Sequence, residues 1–306
     1  MKKVCLRFRL NEAEKTRLQA VSEEYCFQDK PDEETEIIIG NYRPEKLKDL
    51  SSLKWIQLSA IGYDKYIAKG ILKEGVLLTN AVGVHTTEVA EHIFATMLMM
   101  IKNEHLYRDD QHSHLWKDEG NVKSFRDLKV TIVGFGDIGN HLARMCKALD
   151  MYVIGVKRKP IEKPDYLDEL YLNDELLKAI SDVDVVVAVL PGNKENENFF
   201  DLDTFKAMRK DCIFINAGRG NLYKEEVLLE VLDQKIIKAV AADVFAIEPL
   251  PADSKLWDYP NLFITPHAAG NFHLESAHDA FVDLAEENLG RYINHEELKY
   301  VVTQRD

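Results

Sequence analysis

The sequence predicts an α/β protein in which parallel sheets are covered by helices on both faces. Short runs rich in β-branched residues alternate with longer segments of helical period along the chain, and this alternation is typical of parallel sheets. The alternation is more regular in the second part of the chain, which predicts a doubly wound sheet there. With 306 residues, the chain is long enough for about two domains.

The first hundred residues predict one small α/β unit. Its strand candidates are separated by helical segments such as 12–25, and a long apolar-faced helix, roughly 87–102, follows. This helix leads into a polar stretch rich in His and Asp, so we expect a domain boundary near residue 100. The candidate strands are VCLRFRL (4–10), EIIIG (36–40), WIQLSA (55–60) and VLLTN (76–80).

The second series of strands follows that polar stretch. One more helical stretch, LESAHDAFVDLAEENLGRYIN, comes after residue 270, and its own sequence leaves open which unit it covers. We assign 1–100 with 271–306 to a substrate domain and 101–270 to a dinucleotide-binding domain. The candidate strands of the second series are 129–136, 152–156, 184–191, 212–218, 239–245 and 262–267.

Composition excludes several classes of protein. The 52 acidic and 39 basic residues give a net charge of -13, which disfavours nucleic-acid binding. The four cysteines form no C-x-x-C pair, so neither zinc nor a disulfide framework is indicated. The longest apolar run, IFATMLMMI, is half of what a membrane span needs, and the N-terminus lacks a signal-like apolar run. We expect a cytoplasmic protein with neither a nucleic-acid nor a membrane partner.

A glycine motif follows the first strand of the second series. The segment VTIVGFGDIGNHLARMCKAL places Gly134, Gly136 and Gly139 in a G-x-G-x-x-G pattern between a strand and a helix. The first glycine allows a tight turn, the second lets backbone approach a pyrophosphate, and the third lets the helix lie close to the strand. The motif predicts dinucleotide binding at the helix N-terminus, although a lone match is often a glycine turn that binds nothing.

Three cations end the next strand. An NAD-binding unit carries an acidic residue about 20 residues beyond the motif, but the position 18 residues after Gly139 is Lys157, followed by Arg158 and Lys159. Three cations in place of a carboxylate favour the 2′-phosphate of NADP(H). The alternatives are NAD(H), a solvated basic turn and a nucleic-acid patch.

Later strand ends each offer one polar residue of a useful kind, namely Arg219, Glu248 and His267. With these segments the chain resembles the D-isomer-specific 2-hydroxyacid dehydrogenase family, which contains glyoxylate and hydroxypyruvate reductases and phosphoglycerate dehydrogenase. The resemblance covers essentially the whole chain. It implies a Rossmann cofactor domain and a smaller flavodoxin-like substrate domain. The matching segments are VGFGDIG, LP (190–191), INAGRG, AADVFAIEPLP, SKLWDYPNLFITPHAAG, SAIGYD and GVHTTEVAEH.

The resemblance implies that Arg219, Glu248 and His267 are the catalytic residues. A 2-keto acid presents a carboxylate beside a carbonyl, and the planar fork of an arginine can bind both. A histidine can give a proton to the carbonyl oxygen, and Glu248 would hold its other ring nitrogen and favour the imidazolium. Taken singly, each of the three could be an ordinary polar residue near the surface.

Further residues are assigned only by the resemblance. Asp137 and Ile138 would lie at the pyrophosphate, Ala217 on the nicotinamide side, and Asp243 beside the carboxamide. The loop SAIGYD would receive the substrate carboxylate, although Tyr63 stands where a small aliphatic residue is more usual. The remaining assignments are Leu190 and Pro191 for the cofactor, and Ala60, Ile61, Gly62 and Arg219 for the substrate.

The sequence therefore predicts an NADPH-dependent reductase of small 2-keto acids, giving D-2-hydroxy acids, with glyoxylate and hydroxypyruvate as leading substrates. A phosphoglycerate dehydrogenase is less expected, because the chain ends at 306 without an extra regulatory domain. A dinucleotide-sensing corepressor is the non-enzymatic alternative. The resemblance also implies a homodimer built largely through the cofactor domain.

Two other sets of polar or aromatic residues have candidate roles. His85, Glu88 and His92 could be imagined around a metal on one helical face, but hydride transfer of this kind needs none, and we expect no metal. His112 and His114 lie in the polar connector and are expected to be solvated. Our candidates for the pocket lining are Tyr42, Tyr63, His85 and Trp257.

Overall fold

A computed structural model describes residues 2–68 and 70–302, and these residues form twelve strands in two separate parallel sheets. The chain divides into two compact units: Met1–His85 with Phe272–Asp306, and Thr86–Asn271. The predicted α/β class with two units is confirmed. Met1, Lys69 and residues 303–306, which belong to our predicted substrate domain, lie outside the described residues.

The first unit carries a five-stranded sheet in the order β2-β1-β3-β4-β5. Each neighbouring pair is parallel, and this is the flavodoxin-like order that was expected. The strands are β1 (Lys2–Arg7), β2 (Tyr25–Gln28), β3 (Thr35–Gly40), β4 (Trp55–Gln57) and β5 (Leu77–Thr79). The helices are α1 (Glu12–Ala20), α2 (Pro44–Leu47) and α9 (Glu275–Ile293).

Both faces of this sheet are covered, as the alternation of side chains along a strand requires. Ile37 and Ile39 face one core, which contains Phe281 and other apolar residues of α9. Ile38 faces the opposite core, together with Leu47 of α2. The last helical stretch of the chain therefore packs within the first unit.

The second unit carries a seven-stranded sheet in the order β12-β11-β10-β9-β6-β7-β8. All neighbours are parallel, and the strand order reverses beside β6 as in a doubly wound sheet. The strands are β6 (Lys129–Val133), β7 (Tyr152–Lys157), β8 (Glu169–Leu172), β9 (Val185–Ala188), β10 (Ile213–Asn216), β11 (Ala239–Ala242) and β12 (Leu262–Ile264). The helices are α3 (Thr86–Ile101), α4 (Glu104–His112), α5 (Asp137–Lys147), α6 (Leu176–Ile180), α7 (Leu202–Lys206) and α8 (Glu225–Asp233).

The boundary between the units differs from the predicted one. It lies at His85/Thr86, whereas the sequence predicts that helix 87–102 belongs to the first domain and that the boundary is near residue 100. The reason is the apolar face of α3, because Ile93 and Met97 pack in the same core as Leu142 of α5. The functional names of the two domains stay predictions.

Three elements were not anticipated. The predicted helix 12–25 ends at Ala20, and its last residue begins β2 instead. Strand β8 was missed because its four residues are only half-buried and carry no β-branched side chain. The polar stretch taken as a connector contains α4, which has no buried residue. His112 ends α4 and His114 follows it, and both are exposed.

Candidate active site

The glycine motif forms a tight turn between β6 and α5. Gly134 has a φ of +101°, and a Cβ there would lie 2.7 Å from the carbonyl oxygen of Val189. At Gly139, a Cβ would lie 2.7 Å from the carbonyl oxygen of Gly134. Both positions therefore require glycine, one because of its backbone angle and both because of close backbone approach.

Gly136 differs from its two neighbours in the motif. A Cβ at this position would meet nothing within 4 Å, so the space beside it is open to a ligand. Gly136 is also the N-cap of α5, and no side chain within the described ranges caps it there. Asp137 and Ile138 begin the helix, whose first N–H groups suit an anion. These features fit a pyrophosphate.

The three cations lie at the end of β7, beside this turn. Lys157 Nζ donates to the carbonyl oxygen of Phe135 at 2.9 Å, which holds the ammonium over the glycine turn. Arg158 pairs with Glu195, and Lys159 is exposed. The expected acidic residue is thus absent from the strand end, but a carboxylate reaches Arg158 from the loop after β9.

Leu190 and Pro191 follow β9, and Ala217 follows β10. The N–H of Ala217 donates to the carbonyl oxygen of Ala188 at 3.1 Å. Asn196 Nδ2 donates to the carbonyl oxygen of Pro191 at 2.9 Å. These three predicted cofactor residues therefore follow β9 and β10 at the carboxyl edge of the sheet, and β9 is the neighbour of β6, which leads into the glycine turn.

Arg219 lies on the turn that follows β10. Asn216, the last residue of that strand, donates from Nδ2 to the carbonyl oxygen of Arg219 at 3.0 Å. Arg219 Nη1 donates to the carbonyl oxygen of Gly218 at 2.7 Å. A Cβ at Gly220 would lie 1.9 Å from the carbonyl carbon of Phe245, so the turn packs directly on the backbone that leads to Glu248.

Glu248 and His267 meet after β11 and β12. His267 Nδ1 lies 2.7 Å from Glu248 Oε2, and the other carboxylate oxygen accepts from the N–H of Phe245 at 2.9 Å. His267 has a φ of +52°, a strained angle for a residue with a Cβ, and its side chain is 47% exposed. One ring nitrogen is therefore held, while the other, Nε2, is the one available to a substrate.

Asp243 holds the segment that carries His267. Its Oδ1 accepts from the hydroxyl of Thr265 at 2.6 Å and from the N–H of Ala268 at 2.8 Å. The N–H of His267 donates to the carbonyl oxygen of Asp243 at 2.8 Å. His92 Nε2 of α3 lies 3.3 Å from Thr265 Oγ1. The residue expected beside the carboxamide is thus also the anchor of the histidine loop.

The loop predicted to bind the substrate carboxylate belongs to the first unit. The N–H of Ala81 donates to the carbonyl oxygen of Ala60 at 3.1 Å, and Asn80 Nδ2 donates to that of Ile61 at 2.8 Å. Both carbonyls are thereby held in place beside Gly62. His85 Nε2 lies 3.0 Å from the carbonyl oxygen of Ser59, so it supports this loop.

The other pocket candidates are less clearly placed at a site. Tyr42 and Tyr63 are half-buried and pack against one core of the first unit. Trp257, in the second unit, is half-exposed, and its Nε1 donates to the carbonyl oxygen of Pro251 at 2.8 Å.

Within residues 2–68 and 70–302, no three His, Cys, Asp or Glu side chains are grouped to hold a metal ion. None of the helices described there is long and apolar enough to cross a membrane.

A family model for the NAD binding domain of D-isomer specific 2-hydroxyacid dehydrogenases matches residues 94–269, more than half of the chain. The chain belongs to this family. Its members are NAD(P)-dependent oxidoreductases, and the matched residues contain the glycine motif, Arg219, Glu248 and His267. The resemblance noted from the sequence is confirmed.

Relatives of this dehydrogenase support the same assignment. A probable 2-ketogluconate reductase of Dictyostelium discoideum is 30% identical over 233 residues, which are 74% of this chain and 69% of that protein. A family member from Aeromonas salmonicida has a crystal structure with a TM-score of 0.87 and 28% identity, over 99% of both chains.

A third relative shares the fold. The crystal structure of an NADPH-dependent glyoxylate/hydroxypyruvate reductase from Sinorhizobium meliloti, in complex with NADP and sulfate, has a TM-score of 0.82 and 24% identity over 99% of both chains. The D-isomer specific 2-hydroxyacid dehydrogenase fold therefore extends over nearly all of this chain.

Several residues around the site of this dehydrogenase were missed by sequence reasoning. Asn216 and Tyr223 flank Arg219, while His92 and Thr265 lie beside Asp243. Asn216 did give a signal, because it is a polar residue directly after three apolar ones in a buried strand. Tyr223 and Thr265 gave none, since their partners are distant in sequence or lie on another element, and His92 is named from the sequence only as a candidate metal ligand, not as a neighbour of Thr265.

Proposed function

We propose that this dehydrogenase reduces a small 2-keto acid of the glyoxylate or hydroxypyruvate type to the D-2-hydroxy acid, with NADPH as preferred cofactor. The observation that carries the proposal is the 2.7 Å contact between His267 Nδ1 and Glu248 Oε2, at the same sheet edge as the Arg219 turn. Parallel sheets of this kind bind ligands at the carboxyl ends of their strands.

The histidine and glutamate are suited to general acid catalysis. Because Glu248 accepts at Nδ1, the His267 proton that moves to a carbonyl oxygen is the one on Nε2. Glu248 is itself oriented by the N–H of Phe245, so the ring is held in one orientation and one tautomer. General acid catalysis of this type is worth roughly 10²–10⁴ in rate.

Arg219 is the proposed clamp for the substrate. Its guanidinium is permanently charged and presents paired donors, so it can bind the carboxylate and polarise the adjacent carbonyl of a 2-keto acid. The glycine turn and the residues after β9 and β10 would hold the nicotinamide cofactor, whose reduced ring would supply the hydride to the carbonyl carbon. His267 adds the proton to the carbonyl oxygen, which completes the hydroxy acid and leaves the oxidised cofactor.

The cofactor preference rests on the end of β7. An NAD-selective site uses a carboxylate there to bind the ribose hydroxyls, whereas this chain has Lys157, Arg158 and Lys159. Lys157 is already held over the glycine turn, close to where the adenosine ribose lies in such sheets. The carboxylate of Glu195 beside Arg158 tempers the positive charge, so NAD(H) stays the alternative.

A homodimer is the proposed assembly. The segment after α4 exposes Leu115, Trp116 and Val122 on the second unit, and large exposed apolar side chains of this kind are typical of interaction surfaces. Trp116 is fully exposed. We infer that a second copy of the chain covers this segment.

We also place the protein in the cytoplasm. All four cysteines are free thiols, and Cys5, Cys146 and Cys212 are buried. Burial raises the pKa of the Cys212 thiol to about 12, so this thiol is unreactive. Unpaired cysteines suit a reducing compartment.

The deciding experiment is a substrate panel followed at 340 nm. Purified protein is mixed with NADPH and with glyoxylate, hydroxypyruvate, its 3-phosphate, pyruvate and 2-ketogluconate. We expect consumption of NADPH with glyoxylate or hydroxypyruvate and a lower rate with NADH. Tight binding of the dinucleotide without turnover of any member of the panel would contradict an enzyme and favour a sensor. Preference for the phosphorylated acid would favour a phosphoglycerate dehydrogenase.

A further inference from the structure

A buried polar chain, formed by the hydrogen-bonded side chains of Asn216 and Tyr223, lies behind the turn that carries Arg219. Asn216 is completely buried, and its side-chain hydrogen bonds are directed to this turn. Its Oδ1 accepts from the N–H of Gly218 at 3.0 Å. Its Nδ2 donates to the carbonyl oxygen of Arg219 at 3.0 Å and to the hydroxyl of Tyr223 at 3.2 Å.

Tyr223 is the fixed end of this chain. Its side chain is 4% exposed, and its ring packs edge-on against those of Phe205 and Phe214, with centroids 6.2 and 6.0 Å away. Burial raises the pKa of the phenol to about 12, so the hydroxyl stays neutral over the working range of the protein. The aromatic core therefore holds one hydroxyl oxygen at a constant position beside Asn216.

The Arg219 turn has little other freedom. The residue after it, Gly220, packs so closely on Phe245 that no side chain fits there. A Cβ at Gly192 would lie 2.9 Å from Arg219 Cγ, so the stem of the side chain is also confined. The guanidinium donates from Nη1 to the carbonyl oxygen of Gly218, so its position depends on the backbone of this turn. Asn216 holds that backbone at the N–H of Gly218 and at the carbonyl of Arg219.

We propose that Asn216 and Tyr223 are positioning residues for Arg219, which they hold in the geometry that binds the carboxylate of the substrate. This inference rests on the proposed function, because Arg219 is taken as the clamp. Tyr223 orients the amide of Asn216, and the amide fixes the N–H of Gly218 and the carbonyl of Arg219. Neither residue contacts the substrate.

Removing the hydroxyl of Tyr223 should affect the Arg219 turn through the side chain of Asn216. Tyr223→Phe leaves one buried N–H of Asn216 without its acceptor, and an unsatisfied buried donor is costly. The amide then shifts to find another partner and releases the Arg219 carbonyl. Misplacement of a clamp by a fraction of an ångström weakens substrate binding, whereas the dinucleotide site on the glycine turn is unaffected.

The test measures binding of oxamate, which carries a carboxylate beside a carbonyl, to the complex with NADPH. In Tyr223→Phe we expect the oxamate dissociation constant to rise about fivefold, the equivalent of one hydrogen bond, while the NADPH dissociation constant stays within about twofold. Asn216→Asp, which loses both donors, should show the same pattern with a larger rise. Phe200→Leu is the matched control, because Phe200 packs against Phe205 and Phe214 and its removal disturbs the same aromatic core one ring away from Tyr223.

A double-mutant cycle separates positioning from general destabilisation. In an Arg219→Gln background, Tyr223→Phe should cause no further loss of oxamate affinity. An equal loss in Phe200→Leu, or the same fold loss with and without Arg219, would overturn the inference. If the unmodified protein binds oxamate and Tyr223→Phe leaves that binding unchanged, the inference fails alone. If the unmodified protein binds no oxamate, the proposed function fails with it.

Discussion

His267 combines a strained backbone with a side chain that is about half exposed and tied at one ring nitrogen. Non-glycine residues with positive φ are uncommon and need surrounding structure to hold them. Here the N–H of His267 donates to the carbonyl oxygen of Asp243, and Asp243 also binds the hydroxyl of Thr265. The strain is therefore held by specific hydrogen bonds, which is consistent with a catalytic position.

His267→Gln should lower turnover of the best 2-keto acid by roughly 10²–10⁴-fold, because glutamine cannot donate a titratable proton. The affinity for NADPH should change little. His112→Gln, on the exposed face of α4, is the control and should leave turnover unchanged. Steady-state kinetics at 340 nm make the measurement, and turnover within threefold of the unmodified protein would end the assignment.

Lys157→Asp should move the cofactor preference toward NAD(H). The change removes a cation near the 2′-phosphate and supplies a carboxylate for the ribose hydroxyls. A hydrogen bond to a charged group is worth about 1.5–3 kcal/mol, so the ratio of NADPH to NADH affinity should fall at least about tenfold. Titration of both cofactors tests this, with Lys206→Asp as a control of equal charge change on α7. NADH binding tenfold tighter than NADPH in the unmodified protein would contradict the premise.

Substitution of two glycines of the motif by alanine should cause two different defects. Gly136→Ala should fold normally, since its Cβ meets nothing within 4 Å, but the methyl group occupies the space proposed for the pyrophosphate. We expect an unchanged melting temperature and a loss of NADPH affinity of more than about tenfold. Gly134→Ala should instead lower the melting temperature, because its Cβ lies 2.7 Å from a carbonyl oxygen at a positive φ. Thermal unfolding and fluorescence titration distinguish the two, and an equal loss of stability in both variants would contradict the geometry.

At this scale, the sequence reveals residues whose neighbours in the chain form a motif. Gly134, Arg219 and His267 all belong to such segments. Tyr223 does not, and although Asn216 lies in the segment INAGRG, its role depends on one contact with Tyr223 across a turn and on the packing of Tyr223 against α7 and β10. Buried polar partners of this kind become visible only when the strands are assembled.

Helix α7 shows how a single element depends on pH. Its N-cap, Asp201, accepts from the hydroxyl and the N–H of Thr204 at 2.7 and 2.8 Å, and these bonds lower the pKa of the carboxyl. A lowered pKa means that the cap stabilises the fold above the pKa of the unfolded chain, about 3.9, and that this contribution is lost as the pH falls through the folded value.

The free energy of unfolding of Asp201→Asn should therefore differ more from that of the unmodified protein at pH 7 than at pH 3. Asparagine also caps helices, but it lacks the charge that strengthens the bonds. The difference in unfolding free energy between the two proteins should shrink as the pH falls below about 4. Asp201→Ala should cost about 1 kcal/mol at pH 7. Urea denaturation across this pH range makes the measurement, and a difference in unfolding free energy between the unmodified protein and Asp201→Asn that stays constant with pH would contradict the sign.

The elements predicted correctly are those with strong periodicity and burial on both sides. The central strands of both sheets were found, since parallel strands covered on both faces read as continuous apolar runs. The two missed strands, β2 and β8, are edge strands with one neighbour each, and β8 is half-buried throughout. Neither of them contains a β-branched residue, whereas the other two edge strands, β5 and β12, each contain one and were predicted.

The whole molecule is predicted to be a homodimer in solution. Sedimentation at low protein concentration should give a species of about twice the 35.1 kDa chain mass. Trp116→Ser should shift it toward the monomer, because the fully exposed Trp116 is the largest apolar side chain of the segment after α4. His114→Ser, nearby on the same segment, is the control. A species near 35 kDa for the unmodified protein would contradict the assembly.

The two units differ in how their chain is arranged, and this affects synthesis. The second unit is one continuous stretch, Thr86–Asn271, whereas the first takes α9 and a short pairing of Val301 with Thr79 from the far end of the chain. During synthesis on the ribosome, the second unit can therefore fold before the first unit does. Until α9 emerges, one apolar face of the first sheet, which includes Ile37, Ile39 and Trp55, stays uncovered in the nascent chain, as a surface that chaperones bind.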